Sequence, residues 1–183
     1  MKKPVLRSLR KILAMLLLRC LILRLAMLLN HLALLLNINT STIKMITWNE
    51  LTSSVSARRN NIDNTPTDKK VLENLHELLP ILNSVRAEYG KPIRVTSGYR
   101  CPQLNKLVGG VPTSAHLHGL AADVVPFERN SADFLAIQKL FIKFATDKGY
   151  NPIVLIEKPI HGIPTWLHLE ISKSKPSIVV VIK

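Results

Sequence analysis

The stretch Ser114-Ala115-His116-Leu117-His118-Gly119-Leu120-Ala121-Ala122-Asp123 sets an imidazole and a carboxylate seven residues apart. Downstream, Trp166-Leu167-His168-Leu169-Glu170 supplies a second imidazole. Two imidazoles and one carboxylate are a common protein contribution to a catalytic zinc whose fourth position stays open for water. A histidine and an aspartate at this spacing also occur by chance as loop polar groups. Ser114, Gly119 and Ala121 in register, with a second histidine on a later strand, set this pair apart. His116, Asp123 and His168 are the candidate metal ligands, and zinc is the candidate cofactor.

The elements around these residues must aim them at one point. Leu120 to Val125 is a short apolar run with one acid, which reads as a strand. Alternation puts Ala121, Asp123 and Val125 on one face. Ala121 is small and leaves room for a metal and an incoming imidazole, while Gly119 lets a loop carrying His116 fold back over the strand. In Trp166 to Ile171 the same alternation groups Trp166, His168 and Glu170 opposite Leu167, Leu169 and Ile171. Upstream, Trp48 to Thr52 reads as a short helix start or a strap. Asp68 caps a helix from about Lys69 to Tyr89, with Val71, Leu72, Leu75, Leu78, Leu79, Leu82 and Val85 at helical spacing. Pro80 should kink or divide it, and Gly90 ends it. His76 on this helix reads as a surface or boundary residue. Pro92 to Thr96 is a strand, and Leu104 to Val108 a helical turn. Asn130-Ser131 caps a helix from about Ala132 to Lys148 that buries Phe134, Ile137, Leu140, Phe141 and Phe144. Ile153 to Glu157 and Trp166 to Ile171 are strands, and Ile178 to Ile182 is a last strand or an apolar tail. This mixture predicts an α+β fold, an antiparallel sheet flanked by helices.

The pattern S-x-H-x-x-G-x-A-x-D followed by a W-x-H strand resembles the zinc D-Ala-D-Ala carboxypeptidase-like metallopeptidases (peptidase M15A-like). That group includes the D,D-dipeptidases of vancomycin resistance and several phage endolysins. Further matches are Asn49-Glu50-Leu51-Thr52, Ile62-Asp63-Asn64-Thr65-Pro66, Ile93-Arg94-Val95-Thr96-Ser97-Gly98-Tyr99-Arg100 and Leu104-Asn105-Lys106-Leu107-Val108-Gly109-Gly110. They run in family order from about Ile46 to about Ile171, and the chain is most similar to the small single-domain branch of phages and bacterial genomes. The resemblance implies a hedgehog/D,D-peptidase-like zinc fold and hydrolysis of a peptide bond in the peptidoglycan stem, by a D,D-carboxypeptidase or an endolysin-type endopeptidase. It also implies an active-site role for Arg100, binding or polarising the substrate carbonyl, which composition alone would leave as a surface residue. Ser114 is by the same resemblance a substrate contact, against a loop-cap role. His118 matches no ligand position and reads as a neighbour of the site or as exposed.

Hydrolysis at such a zinc needs a carboxylate to take a proton from water and pass it to the leaving amine. Many relatives place an acid three residues before the second histidine, where this chain has Thr165. Glu157 ends the preceding strand, where the small branch has an acid. Glu170 shares a face with His168 but lies two strand residues along, about 6.6 Å away. Glu157 is therefore the expected base and Glu170 its rival. The departure at Thr165 leaves a second reading, a non-catalytic zinc-containing module that binds cell wall without cutting it.

The 183 residues suffice for one domain with a core plus an appendage. Of the net charge of +13, residues 1–44 carry eight basic residues and no acid. The remainder holds 17 basic and 12 acidic residues, a modest surplus that suits an anionic wall polymer as well as a nucleic acid. No basic helix interleaved with aromatics appears, so no nucleic-acid partner is expected. Residues 1–44 form a basic, Leu-rich leader that is membrane- or signal-like or else a mis-assigned start, with Met45 opening a peptidase domain over residues 45–183. Arg19 and Arg24 interrupt its apolar run. Membrane contact is expected only through this leader. The site of action is the cell wall, in the periplasm or envelope, with a cytoplasmic stage if the protein serves phage lysis. The chain is read as a monomer. Cys20 and Cys101 fall in such different contexts that no disulfide framework is implied, and Cys101 reads as a free loop thiol.

Overall fold

A computed structural model describes residues 44–157 and 160–182. The leader assigned to residues 1–44 lies, Lys44 apart, outside the described residues. Among the described residues no helix is long and apolar enough to cross a membrane.

Two short helices open the domain, α1 (Trp48–Thr52) and α2 (Val55–Arg59). The first is closed by a reciprocal cap, in which Thr47 and Glu50 each accept from the other's backbone N–H. The long helix α3 (Lys69–Tyr89) starts at Asp68, whose carboxylate accepts from the Val71 N–H, and stops at Gly90 with φ 73°. It is not divided at Pro80. Pro80 is exposed, so the carbonyl of His76 that loses its helical partner faces water rather than the core. His76 is itself exposed, and its ring lies 4.9 Å from that of Trp48. The second long helix, α5 (Ser131–Asp147), is capped by the Asn130 side chain. Between them lie strand β1 (Ile93–Ser97), the short helix α4 (Pro102–Leu107), a 3₁₀ turn (Ala115–His118) and strand β2 (Ala121–Pro126). Strands β3 (Asn151–Glu157), β4 (Trp166–Ser172) and β5 (Ile178–Ile182) complete the chain.

The five strands form one sheet in the order β1-β2-β4-β3-β5. All pairings are antiparallel except β3 with β5, which run parallel. The expected antiparallel sheet thus holds for four strands. The fifth is reached by a loop that returns the chain along β3, which brings it in parallel.

One face of the sheet is apolar. Ala122, Val124, Val154, Leu167, Leu169 and Ile171 meet Val71, Leu75, Leu78, Leu82 and Val85 of α3 and Phe134, Ile137 and Phe141 of α5. Leu72 and Leu79 of α3, and Leu140 and Phe144 of α5, are only partly buried at the margins. Truncating a ring such as Phe141, fully buried here, costs about 3–5 kcal/mol. With both long helices on this side, the opposite face is left for polar residues, and it carries Asp123, His168 and Glu170.

Candidate metal centre and active site

Asp123 on β2 and His168 on β4 are directly opposite in register, so both side chains leave the sheet on the same face. The Nδ1 atom of His168 lies 2.9 Å from Asp123 Oδ1. His116 arrives from the 3₁₀ turn, which Gly119 ends at φ 66°. A side chain at Gly119 would also meet Leu75 and the Val71 carbonyl, so glycine is required there for conformation and for space. The Asn74 side chain donates to the His118 carbonyl at 2.9 Å and ties the turn to α3. His116 Nδ1–H donates to the Gly98 carbonyl at 2.7 Å, which leaves the Nε2 lone pair facing inward. His116 Nε2 lies 3.2 Å from Asp123 Oδ1 and 3.2 Å from His168 Nδ1.

Those three atoms form a nearly equilateral triangle. Ligands about 2.0–2.1 Å from a tetrahedral zinc stand about 3.3–3.4 Å apart. The triangle therefore has the size of one face of a zinc tetrahedron, and its N, N, O composition suits that ion. All three residues are buried. Among the described residues they are the group of three or more acids, cysteines and histidines able to share a metal.

A β-bulge prepares the other side of the site. Val95 pairs with Val124, but Ser97 pairs with Asp123, so Thr96 is an extra residue in β1. In an unbroken ladder Thr96 would oppose Asp123, and Ser97 would oppose Ala122 and point into the core. With the bulge Ser97 points to the polar face, where its hydroxyl accepts from Arg100 Nε at 2.8 Å. Arg100 Nη2 then donates to Asp123 Oδ2 at 2.6 Å. Asp123 thus turns one oxygen to the imidazoles and the other to the guanidinium. Burial pushes its pKa up, but the neighbouring His116 and His168 imidazoles outweigh this and hold it well below the usual carboxylate range. Burial pulls His168 down, yet its bonds to Asp123 and Glu170 raise it to about 9 in the metal-free protein. Arg100, expected to reach for substrate, is thus first of all a partner of a metal ligand.

Residues 44–151 match the family description Peptidase M15. The chain belongs to this family. M15 peptidases are zinc-dependent, and the His116–Asp123–His168 triangle is where this member can hold the ion. Among solved structures the chain is similar to the Serratia marcescens L-Ala D-Glu endopeptidase ChiX, at 18% identity and a TM-score of 0.41, over 58% of this chain and 89% of that one. No curated protein matches.

Around the M15 triangle the two candidate acids differ in setting. Glu157 lies opposite Trp166 on the polar face, and Leu155 opposite His168. Glu157 is therefore the diagonal neighbour of His168, a separation of about 7–8 Å between backbones. Thr165, at the position where many relatives carry the acid, donates both its N–H and its hydroxyl to the Glu157 carbonyl, at 3.0 and 2.7 Å. It braces the strand end that presents Glu157. Glu170 lies two residues from His168 along β4, yet its Oε2 reaches to 3.5 Å from His168 Nε2, and its Oε1 accepts from Lys175 Nζ at 2.8 Å.

Ser114 precedes the 3₁₀ turn, and its hydroxyl makes no capping bond. His118 is exposed and takes no part in the triangle. Cys101 is a free thiol, whose sulfur accepts from the Leu104 N–H as the cap of α4. Gly98, Ser97, Thr96 and Lys175 were not singled out from sequence as shapers of the site. A glycine and small hydroxyls beside an arginine could have flagged the first three; Lys175 carried no sequence signal.

Proposed function

We propose that this M15 protein is a zinc peptidase that hydrolyses a peptide bond in the stem of peptidoglycan. The observation that carries the reading is the His116–Asp123–His168 triangle, sized for one zinc. The stem-peptide substrate rests on the sequence resemblance to wall-cleaving relatives. The ion, when bound, supplies a Lewis acid and lowers the pKa of water. Glu157 faces the same side of the sheet as the triangle, diagonal to His168. It takes a proton from the attacking water and passes it to the leaving amine as the C–N bond breaks. Arg100 commits Nε and one Nη2 hydrogen to Ser97 and Asp123, and the remaining donors of its five N–H groups serve a substrate carbonyl or carboxylate. The uncapped hydroxyl of Ser114 offers a second polar contact to substrate. Glu157, clamped by Thr165, supports cleavage over the wall-binding reading.

The test is digestion of purified peptidoglycan by the zinc-loaded protein, with new termini identified by mass spectrometry. Released terminal D-Ala identifies a carboxypeptidase, and an internal cut identifies an endopeptidase. His116→Ala and His168→Ala should each remove most of the zinc and all detectable cleavage. Intact wall after prolonged incubation with zinc-loaded protein would leave the binding module as the surviving reading. Full zinc occupancy in both variants would refute the ligand assignment.

A further inference from the structure

The side of His168 that faces away from the triangle is also organised. Glu170 is buried, and its cross-strand neighbours, Ala121 on β2 and Ile153 on β3, have no side-chain hydrogen to donate. Its carboxylate is instead shared between His168 Nε2 at 3.5 Å and Lys175 Nζ at 2.8 Å. Lys175 is brought there by the turn after β4. The Ser172 hydroxyl accepts from the N–H groups of both Ser174 and Lys175, at 3.2 and 2.9 Å, which folds the chain back over the strand end. The lysine side chain remains 56% exposed, so the line runs from solvent to the buried imidazole.

We infer that Glu170 and Lys175 are positioning residues for the metal centre, resting on the zinc reading above. Glu170 accepts from His168 Nε2–H. This selects the tautomer whose Nδ1 lone pair faces His116 Nε2 and Asp123 Oδ1, and it fixes the ring plane. Lys175 holds Glu170 in the rotamer that does so. His116 obtains the same service from the Gly98 carbonyl, so each imidazole has its far nitrogen fixed by a separate acceptor. A carboxylate committed to these two donors is also poorly placed to shuttle a proton, which separates Glu170 from its former rivalry with Glu157.

The experiment measures zinc affinity of the full chain by competition with a chelating dye, for wild type, Glu170→Ala, Glu170→Gln, Lys175→Ala, Lys175→Arg and the Glu170→Ala/Lys175→Ala double variant. Loss of such an outer partner typically weakens metal binding about 10–100-fold, and that is expected for Glu170→Ala. Glu170→Gln should lose less, because its amide oxygen still accepts from the ring N–H. Lys175→Ala should show a smaller loss, restored by Lys175→Arg. The double variant should match Glu170→Ala alone, because Lys175 acts through Glu170. Nitrogen-15 spectra of metal-free protein at alkaline pH, where the His168 ring is neutral, should show one His168 tautomer in wild type and a mixture in Glu170→Ala. Should Glu170→Ala fail to fold, the exposed Lys175 pair of variants still decides. Wild-type zinc affinity in Glu170→Ala or Lys175→Ala, alongside loss of zinc in His168→Ala, overturns this inference and leaves the zinc reading standing. A wild-type chain that takes up no zinc overturns both.

Discussion

Gly98 offers a sharp test of how the site is built. Its backbone does not need a left-handed φ, so conformational freedom is not why glycine stands there. A Cβ at Gly98 would fall on the carbonyl oxygen of Leu51, with the Leu51 C and Cα also inside 3.0 Å. Leu51 is fully buried on α1, which is capped at its start and hydrogen-bonded through Leu51 O to the Tyr99 N–H at 2.7 Å. Neither side can yield cheaply, so Gly98→Ala belongs at the upper part of the 1–3 kcal/mol usual for overpacking, about 2–3 kcal/mol. With an unfolding entropy of about 2.1 cal/mol/K per residue, a domain of roughly 140 residues should lose about 7–10 °C in Tm. The same displacement moves the Gly98 carbonyl that fixes His116, so zinc affinity should fall about 10–100-fold as well. Gly149→Ala is the control. It has φ 78° and open space around it, so it should cost only about 1 kcal/mol of backbone strain and leave zinc binding unchanged. The assay is thermal unfolding of both variants with and without zinc, together with chelator competition. A Gly98→Ala protein with wild-type Tm and wild-type zinc affinity would refute the close-approach account.

Four further outcomes are expected. Glu157→Gln should keep zinc and substrate affinity while turnover falls about 10²–10⁴-fold, whereas Glu170→Gln at saturating zinc should lose less than about tenfold; the reverse ranking in steady-state kinetics would move the base to Glu170. Because His168 is raised to about 9 and Asp123 is already ionised, zinc binding near pH 7 should release about one proton, falling towards zero above pH 9; calorimetry in buffers of different ionisation enthalpy measures this, and no release at pH 7 would contradict it. The same raised value stabilises the metal-free fold below the unfolded histidine pKa of about 6.5 and is lost as pH rises through about 9. The fragment from Met45 to Lys183 should be soluble, bind one zinc and match the full chain in activity; insolubility or loss of zinc would assign residues 1–44 to the domain.

Much of this architecture was legible because local chemistry and tertiary packing agree. Asp68 and Gly90 delimit the helix Lys69–Tyr89 at both ends, and alternation in Leu120–Val125 and Trp166–Ile171 correctly puts Asp123 and His168 on one face. The triangle was legible for the same reason, since strand alternation fixes direction and few histidines are available. What escaped depends on partners far away in sequence. Pro80 breaks a helix only where the orphaned carbonyl is denied water, and burial is not written in the residue. The parallel β5 depends on how a loop returns, not on the composition of Ile178–Ile182. The separation of Glu170 from His168 was judged on strand spacing, about 6.6 Å, whereas their side chains close to 3.5 Å because Lys175 and an apolar flank leave the carboxylate nowhere better to go.

The extra residue at Thr96 makes the active site a matter of odd and even numbers. Up to Val95 the first strand is in phase with the core, and from Ser97 onward it is in phase with the metal. Removing Thr96 would make the ladder regular with Ser97 still opposite Asp123, but it would take away the Thr96 hydroxyl that donates to the Asp123 carbonyl at 3.1 Å and the added twist that carries the chain on to Arg100. Adding one residue to β2 between Asp123 and Val124 would give Thr96 a partner, but it would turn Ser97 and Asp123 together toward the core face. The segment therefore tolerates substitutions more readily than changes of length, and a search for distant relatives should weight a gap here more heavily than a mismatch.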